Sequence, residues 1–323
     1  MKNILITGGA GYIGTVLTEQ LLDRGYNFKV VDTLWYGHYL SDKVQIEKKN
    51  ILNITQAEID SFDVVIFLGG VSNDPMAEYK PSINFTENMA SSSYLAYITR
   101  QSAIKTQTKK RFIYASTCSV YGYTSNNLMS ESDPIPAPHF PYGISKLYAE
   151  KAIMALENDF FKPIALRKGT VGGWSPRMRF DLVVNVMTKS ALNNKQIVVN
   201  NPSLWRPLVD VRDAAEAYVR AIESNIDITG AYNISYDNYT IGRLADEIKE
   251  ELEKTGEKIS IKTLHKEDLR NYKVSTDKAK KELDFVAKFA PKDSVRKILE
   301  NKDDININDE KYENLAIFKE IFK

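Results

Sequence analysis

"NILITGGAGYIG", Asn3 to Gly14, is the stretch on which the fold turns. Glycine weakens a helix or strand by about 0.5–1 kcal/mol relative to alanine, so Gly8, Gly9, Gly11 and Gly14, four within seven residues, call for a cause. Gly9, Gly11 and Gly14 satisfy G-x-G-x-x-G, and Gly8, Gly11 and Gly14 satisfy G-x-x-G-x-x-G. Either pattern alone is common in tight turns. Here an apolar strand, "NILIT", precedes the glycines, and apolar residues at helical spacing follow from Gly11 to Arg24. The N-terminus of that helix offers unpaired N–H groups and a positive dipole end to a pyrophosphate. Asp32 ends the next apolar run, "FKVVD", 18 residues beyond Gly14. A carboxylate there can accept hydrogen bonds from an adenosine ribose. It would repel a 2′-phosphate, and Thr33, Leu34 and Trp35 bring no arginine to neutralise one. The expected dinucleotide is NAD rather than NADP.

Outward from this stretch, short apolar runs alternate with helical patterns. "VQIEK" (Val44 to Lys48), "DVVIFLG" (Asp63 to Gly69), "RFIYAS" (Arg111 to Ser116) and "PIALR" (Pro163 to Arg167) read as strands. Long helices are expected over Ser82 to Ser102 and Tyr142 to Asn158. Near-continuous apolar strands separated by helices imply an α/β fold, a Rossmann-type doubly wound parallel sheet covered on both faces. From about Gly172 the pattern is irregular, with "PLVDV" and "GAYNIS" reading as strands that return to the sheet. The expected organisation is a dinucleotide-binding domain over 1–171, a return segment near 206–235, and a small discontinuous substrate domain over most of 172–323. "NKDDININDEKYEN" reads as a polar connector before a short C-terminal helix, "LAIFKEIFK".

Composition narrows the function classes. The 323 residues carry 43 Lys plus Arg against 42 Asp plus Glu. That balance gives no general field for nucleic acid or an anionic membrane. Cys118 is the single cysteine, so no disulfide forms within the chain and no cysteine-based zinc spacing exists. His38, His139 and His265 are scattered, and no metal site is expected. Gly8 and Gly9 interrupt the N-terminal apolar run too early for a signal peptide, and no apolar run is long enough to span a bilayer. A cytoplasmic location is expected.

The chemistry is expected from "PYGISKLYAEK", which sets Tyr142 and Lys146 four apart at a helix start and therefore on one face. A tyrosine with pKa about 10 serves as a base near neutrality once stabilised by about 4 kcal/mol, and a neighbouring ammonium has the right sign. Taken alone, such a pair is commonplace on solvated helices. Joined with the glycine loop, Asp32 and "STCSVYG" (Ser116 to Gly122), it resembles the extended short-chain dehydrogenase/reductase family, the group of UDP-glucose 4-epimerase and other nucleotide-sugar enzymes. The resemblance runs over roughly 1–285. It implies that Thr117 hydrogen-bonds the reacting sugar oxygen, that Tyr142 is the acid/base, and that Lys146 holds the ribose and activates the tyrosine. It also implies a cofactor set of Gly8, Gly11, Tyr12, Ile13, Gly14, Asp32, Asn50, Ile51, Leu68, Gly69, Gly70 and Asn88, with Tyr142 and Lys146. Four positions depart from the family pattern: Asn50 replaces a common Asp, Gly69 and Gly70 replace alanines, and Thr170 replaces an Asn.

At the substrate end the resemblance implies a nucleoside diphosphate sugar, with residues such as Arg206 and Arg270 around the diphosphate. Arg177 and Arg179 in "SPRMRFDLVVN" are further candidates, against a plain reading as salt-bridged arginines. A guanidinium fork can bind two phosphate oxygens at once. "SPRMRxDL" resembles a branch that includes GDP-manno-heptose dehydrogenases. Family dehydratases carry an Asp–Glu pair directly after the Thr, where this chain has Cys118 and Ser119. The expected reaction is therefore oxidation at C4, giving an epimer or a 4-keto sugar. A 4,6-dehydratase, a ketoreductase, an NADP-dependent reductase of small carbonyls and a non-catalytic NAD sensor are the alternatives. Cys118 falls one residue before the position of a catalytic Cys in some family epimerases and reads as a small buried side chain. A homodimer through two long helices is expected from the family.

Overall fold

The computed structural model describes residues 2–135, 138–264 and 270–323, with the side chains of 125 and 126 left aside. Its strands are β1 (Asn3–Thr7), β2 (Asn27–Asp32), β3 (Gln45–Lys48), β4 (Val64–Phe67), β5 (Lys110–Thr117), β6 (Tyr123–Met129) and β7 (Phe161–Lys168). There follow β8 (Thr170–Gly172), β9 (Gln196–Asn200), β10 (Trp205–Asp210), β11 (Gly230–Ile234), β12 (Asp237–Thr240), β13 (Ser260–Leu264) and β14 (Asn271–Val274).

Seven strands form one sheet in the order β11-β7-β5-β4-β1-β2-β3, every pairing parallel. All four residues of β4 and all eight of β5 are buried, the expected result for strands covered on both faces. On one face, Val16, Leu17 and Leu21 of the helix Tyr12–Asp23 pack with Ala214, Ala217 and Tyr218 of the helix Val211–Glu223. On the other, Leu95 and Ile98 of the helix Ser91–Thr106 pack with Ala149 and Ile153 of the helix Pro141–Met154. The chain reverses direction across the sheet between β1 and β4. Their carboxyl ends open the crevice in which doubly wound sheets bind ligands.

Two expectations need correction. β11 joins the large sheet beside β7, but "PLVDV" does not, because β10 pairs with β8 and β12 in a separate three-stranded sheet. The helix expected over Ser82 to Ser102 is interrupted. An α-helix Pro81–Phe85 passes through a π-helical turn, Thr86–Ala90, into the helix Ser91–Thr106. Such π turns often mark functional sites, and this one contains Asn88. A third apolar cluster, with Val184 and Met187 against Leu244 and Ile248, joins the helices Val183–Asn194 and Ile241–Glu253 beyond the large sheet. The C-terminal helix Asn314–Ile321 returns to the crevice, where Phe318 and Phe322 enclose Trp35.

Candidate active site

The glycine loop is a place where side chains do not fit. Gly8 has φ +72°, and a Cβ on it would lie 2.3 Å from the backbone N of Gly69. A Cβ on Gly14 would lie 2.3 Å from the Gly9 carbonyl oxygen. The loop after β1 and the loop after β4 thus touch backbone to backbone. Gly11 caps the helix Tyr12–Asp23 without a side-chain hydrogen bond, so the first-turn N–H groups face the crevice. Ile51 lines the slot opposite, its Cδ1 2.9 Å from where a Cβ on Gly69 would stand. Asn50 caps the short turn Ile51–Asn53, accepting from Leu52 N at 2.8 Å. Ile13 and Leu68 pack against the main core. Tyr12 turns its side chain away, donating to Gly173 O and accepting from Asn185 Nδ2 at 3.1 Å, and so ties the loop to the second half of the chain.

Asp32 accepts from Ala10 N at 3.0 Å and Leu34 N at 2.8 Å. Burial raises its pKa, while these backbone donors and the Arg177 charge lower it. No arginine stands among Thr33, Leu34 and Trp35, and the cation whose charge reaches Asp32 is Arg177. Arg177 arrives from the second half, stacked on Tyr36 at 4.4 Å. At the other end of the crevice Asn88 is completely buried, its Nδ2 donating to Asn84 Oδ1 at 2.8 Å and Ser145 Oγ at 3.2 Å. Its Oδ1 has no partner among the described residues. Gly70, at φ +102°, makes room for that oxygen, since a Cβ there would lie 2.1 Å from it. A glycine cradle, a carboxylate at the end of β2 and an unpartnered buried amide oxygen fit a dinucleotide laid from β2 to the π turn.

Thr117 ends β5 and Tyr142 opens the helix Pro141–Met154, and the Thr117 side chain acts on the Tyr142 phenol, tending to lower its pKa. Lys146 donates to Ala115 O at 3.2 Å and lies 5.2 Å from the Tyr114 ring and 5.7 Å from the Phe67 ring. Burial pulls its pKa down to about 7. Burial raises the Tyr142 phenol above its usual value, and the Asp74 carboxylate adds to the rise. The charges acting most on Tyr142 are Asp74, which raises its pKa, and Arg179, which lowers it.

The four arginines fall into two pairs. Arg177 donates to Met178 O and Asn314 Oδ1, both at 2.7 Å. Arg179 makes a two-point contact with Asp181 at 2.9 and 2.7 Å. Both guanidinium groups are buried and committed within the protein. Arg206 and Arg270 meet at the mouth: Arg206 donates to Trp205 O and Arg270 O and lies over the Tyr272 ring at 5.5 Å. Arg270 pairs with Asp74 at 2.9 Å. A small cleft lined by Asp74, Ser119, Gly143 and Arg270 opens beside the start of the helix that carries Tyr142. Asp74 was not among the residues read from the sequence. "SNDP" signals a helix start, and a carboxylate there passes for ordinary charge at a helix N-terminus. Lys168 was also missed. It is buried beside the site, donating to Ser116 O at 3.0 Å and Tyr218 Oη at 2.8 Å. Among the described residues no cluster could hold a metal ion and no helix is long and apolar enough to cross a membrane, while His265 lies outside them.

A parallel sheet with a glycine-lined switch point and a Thr–Tyr–Lys group at its carboxyl edge defines a dinucleotide-dependent enzyme of the short-chain dehydrogenase/reductase type. The chain belongs to the NAD dependent epimerase/dehydratase family, whose match spans residues 4–235. A UDP-glucose 4-epimerase of Cyamopsis tetragonoloba is 25% identical, with 91% of this chain and 93% of that one aligned. A dTDP-D-glucose 4,6-dehydratase of Dictyostelium discoideum is 28% identical over 73% of this chain and 59% of its own. Among solved structures, MoeE5 in complex with UDP-glucuronic acid and NAD superposes with TM-score 0.78 at 21% identity, covering 94% of this chain and all (100%) of that one. The protein is an NAD-dependent enzyme.

Proposed function

We propose that this enzyme oxidises C4 of a nucleoside diphosphate sugar and gives either the C4 epimer or the 4-keto sugar. The observation that carries the reading is the Thr117–Tyr142 hydroxyl pair at the carboxyl edge of the sheet, between the glycine cradle and the Arg206–Arg270 mouth. Bound NAD supplies a hydride acceptor. Tyr142, as phenolate, takes the proton of the sugar hydroxyl, and Thr117 holds that oxygen by a hydrogen bond. Lys146 stands one helical turn from Tyr142 and orients the ribose. Arg206 and Arg270 receive the diphosphate, Arg177 and Arg179 brace the walls, and Asn88 offers its unpartnered oxygen to the nicotinamide end. Residues 1–171 with the later strand β11 hold the cofactor, and most of 172–323 shapes the sugar site. Ser119 and the buried Cys118 offer no carboxyl pair for removal of a C5 proton and protonation of a C6 hydroxyl, which disfavours dehydration.

The test is to incubate the holoenzyme with UDP-, GDP- and dTDP-sugars while following NADH absorbance and product stereochemistry by NMR. A C4 epimer or a 4-keto product retaining its C6 oxygen is expected. A 4-keto-6-deoxy product overturns the reading. We further propose a cytoplasmic homodimer. Phe85, Met89, Tyr97 and Tyr148 stay exposed along the helix Pro81–Phe85, the π turn Thr86–Ala90 and the helices Ser91–Thr106 and Pro141–Met154, large apolar groups suited to a second copy. Light scattering should give twice the chain mass, and a monomer at assay concentration would sink that assignment.

A further inference from the structure

Asp74 faces the cleft in an ion pair with Arg270 rather than as the cap of its own helix. It opens the helix Asp74–Tyr79, but Asn73 already caps that helix, accepting from Met76 N at 3.0 Å. The Asp74 side chain is 13% exposed and turns into the cleft shared with Ser119 and Gly143, where it meets Arg270 Nη1 at 2.9 Å. Ser119 is two residues from Thr117, and Gly143 follows Tyr142. The carboxylate therefore borders the space where the reacting sugar must lie, and its charge acts on Tyr142 more strongly than any other.

A carboxylate in this position has two consequences. It accepts hydrogen bonds from sugar hydroxyls, since an ionised carboxylate is an acceptor only. It also opposes a second carboxylate, because like charges brought together cost several kcal/mol. Arg270, the cation that could receive a substrate carboxylate, already faces Asp74. The nearby Arg179 is bound at two points by Asp181. A sugar acid entering the cleft thus meets an acceptor and two guanidinium groups already engaged with carboxylates. An uncharged sugar presents donors to the same acceptor.

We propose that Asp74 is a specificity-determining residue that contacts the sugar, selecting uncharged hexoses and excluding hexuronates. The proposal rests on the nucleotide-sugar reading above. It predicts that Asp74→Asn, which keeps the shape and removes the charge, narrows the preference. Arg270→Met, which removes the cation paired with Asp74, weakens both sugars through the diphosphate and widens the preference between them.

The test is calorimetric binding to the NAD-loaded wild type and both variants, using UDP-glucose against UDP-glucuronate and GDP-mannose against GDP-mannuronate. NAD affinity and melting temperature serve as controls on folding. The wild type should favour the uncharged member of whichever pair binds by at least about tenfold, the scale of one charged hydrogen bond. Asp74→Asn should reduce that ratio by about tenfold and Arg270→Met should increase it. Equal binding of hexose and hexuronate by the wild type overturns the proposal. An unchanged ratio in a folded, NAD-binding Asp74→Asn protein does the same and leaves the nucleotide-sugar reading standing. Failure of the NAD-loaded wild type to bind any of the four sugars overturns that reading and the proposal together.

Discussion

The two ends of the crevice achieve recognition in opposite ways. At the cofactor end, space is removed until backbone meets backbone, and a methyl group on Gly8 or Gly14 has nowhere to go. At the sugar end, charges are paired before any ligand arrives, Arg270 with Asp74 and Arg179 with Asp181. A steric site tolerates almost no substitution, and its demands come from backbone, adjoining for Gly14 against Gly9 and brought in from the loop after β4 for Gly8 against Gly69. A paired-charge site tolerates substitution of one member at a graded cost, and its partners come from distant parts of the chain. Between the two ends stand Thr117 and Tyr142, which belong to neither scheme.

The largest effect is expected at that junction. Tyr142→Phe keeps the ring packed beside Val71, Met76 and Ala77 while removing the hydroxyl. General acid–base groups contribute about 10²- to 10⁴-fold, so kcat should fall by that order. NAD affinity, measured by fluorescence titration, should be unchanged. Turnover near that of the wild type would remove Tyr142 from the reaction.

Next in size is the steric end. Gly14→Ala forces a methyl group against the Gly9 carbonyl, and overpacking of this kind costs about 1–3 kcal/mol. Melting temperature should fall, and NAD affinity with it by about tenfold or more, since about 1.4 kcal/mol is tenfold. Gly25→Ala is the control. Gly25 also has positive φ, +71°, but nothing lies within 4 Å of its added Cβ. It should lower stability by about 1–2 kcal/mol through backbone strain and leave NAD affinity alone. If the two variants lose NAD affinity equally, the loop is a structural turn rather than a cradle.

The same contrast explains what could be read from sequence. Gly8, Gly14, Asp32 and the Tyr142–Lys146 spacing are legible because each answers a demand of the adjoining backbone. The π turn at Thr86–Ala90 is not, because it is set by Asn88 packing against Gly70 and Ser145 from other elements. The partners of the arginines are likewise hidden. Arg177 meets Asn314 across 137 residues and Arg270 meets Asp74 across 196, and no local pattern records either. "PLVDV" has the composition of a core strand, yet β10 finds partners in β8 and β12, a choice made by tertiary pairing rather than by propensity. The number of arginines was visible, but not which of them face the cleft.

That last distinction can be sharpened with Arg206 and Arg177. Arg206→Ala should weaken nucleotide-sugar binding by about tenfold, the lower end for a charge-assisted bond, with NAD binding unaffected. Arg177→Ala breaks the contacts to Met178 and Asn314 and should mainly lower the melting temperature. Calorimetry against a sugar nucleotide and a thermal melt separate the two. Should Arg177→Ala lose sugar affinity more than Arg206→Ala at equal stability, the division between wall and mouth is wrong.

The smallest expected effect concerns Cys118, which follows Thr117 in sequence yet belongs to the packed side of the loop. Its thiol is 1% exposed and donates to Arg167 O at 3.1 Å. Burial raises its pKa well above the ordinary value, so the thiolate needed for nucleophilic or acid–base work is disfavoured. The next residue, Ser119, is the one that lines the cleft and contacts Tyr272 at 3.3 Å. Because successive positions of this short turn face different ways, placing a reactive group at 118 aims it at the Val120, Tyr121 and Leu147 cluster rather than at a sugar. Cys118→Ala should therefore change kcat and KM by less than about twofold, surface-like in its effect on chemistry although it costs some stability by leaving a small void. Iodoacetamide should fail to label the native protein and should label it after unfolding. Rapid labelling of the folded enzyme with loss of turnover would put the thiol in the cleft and turn this loop around.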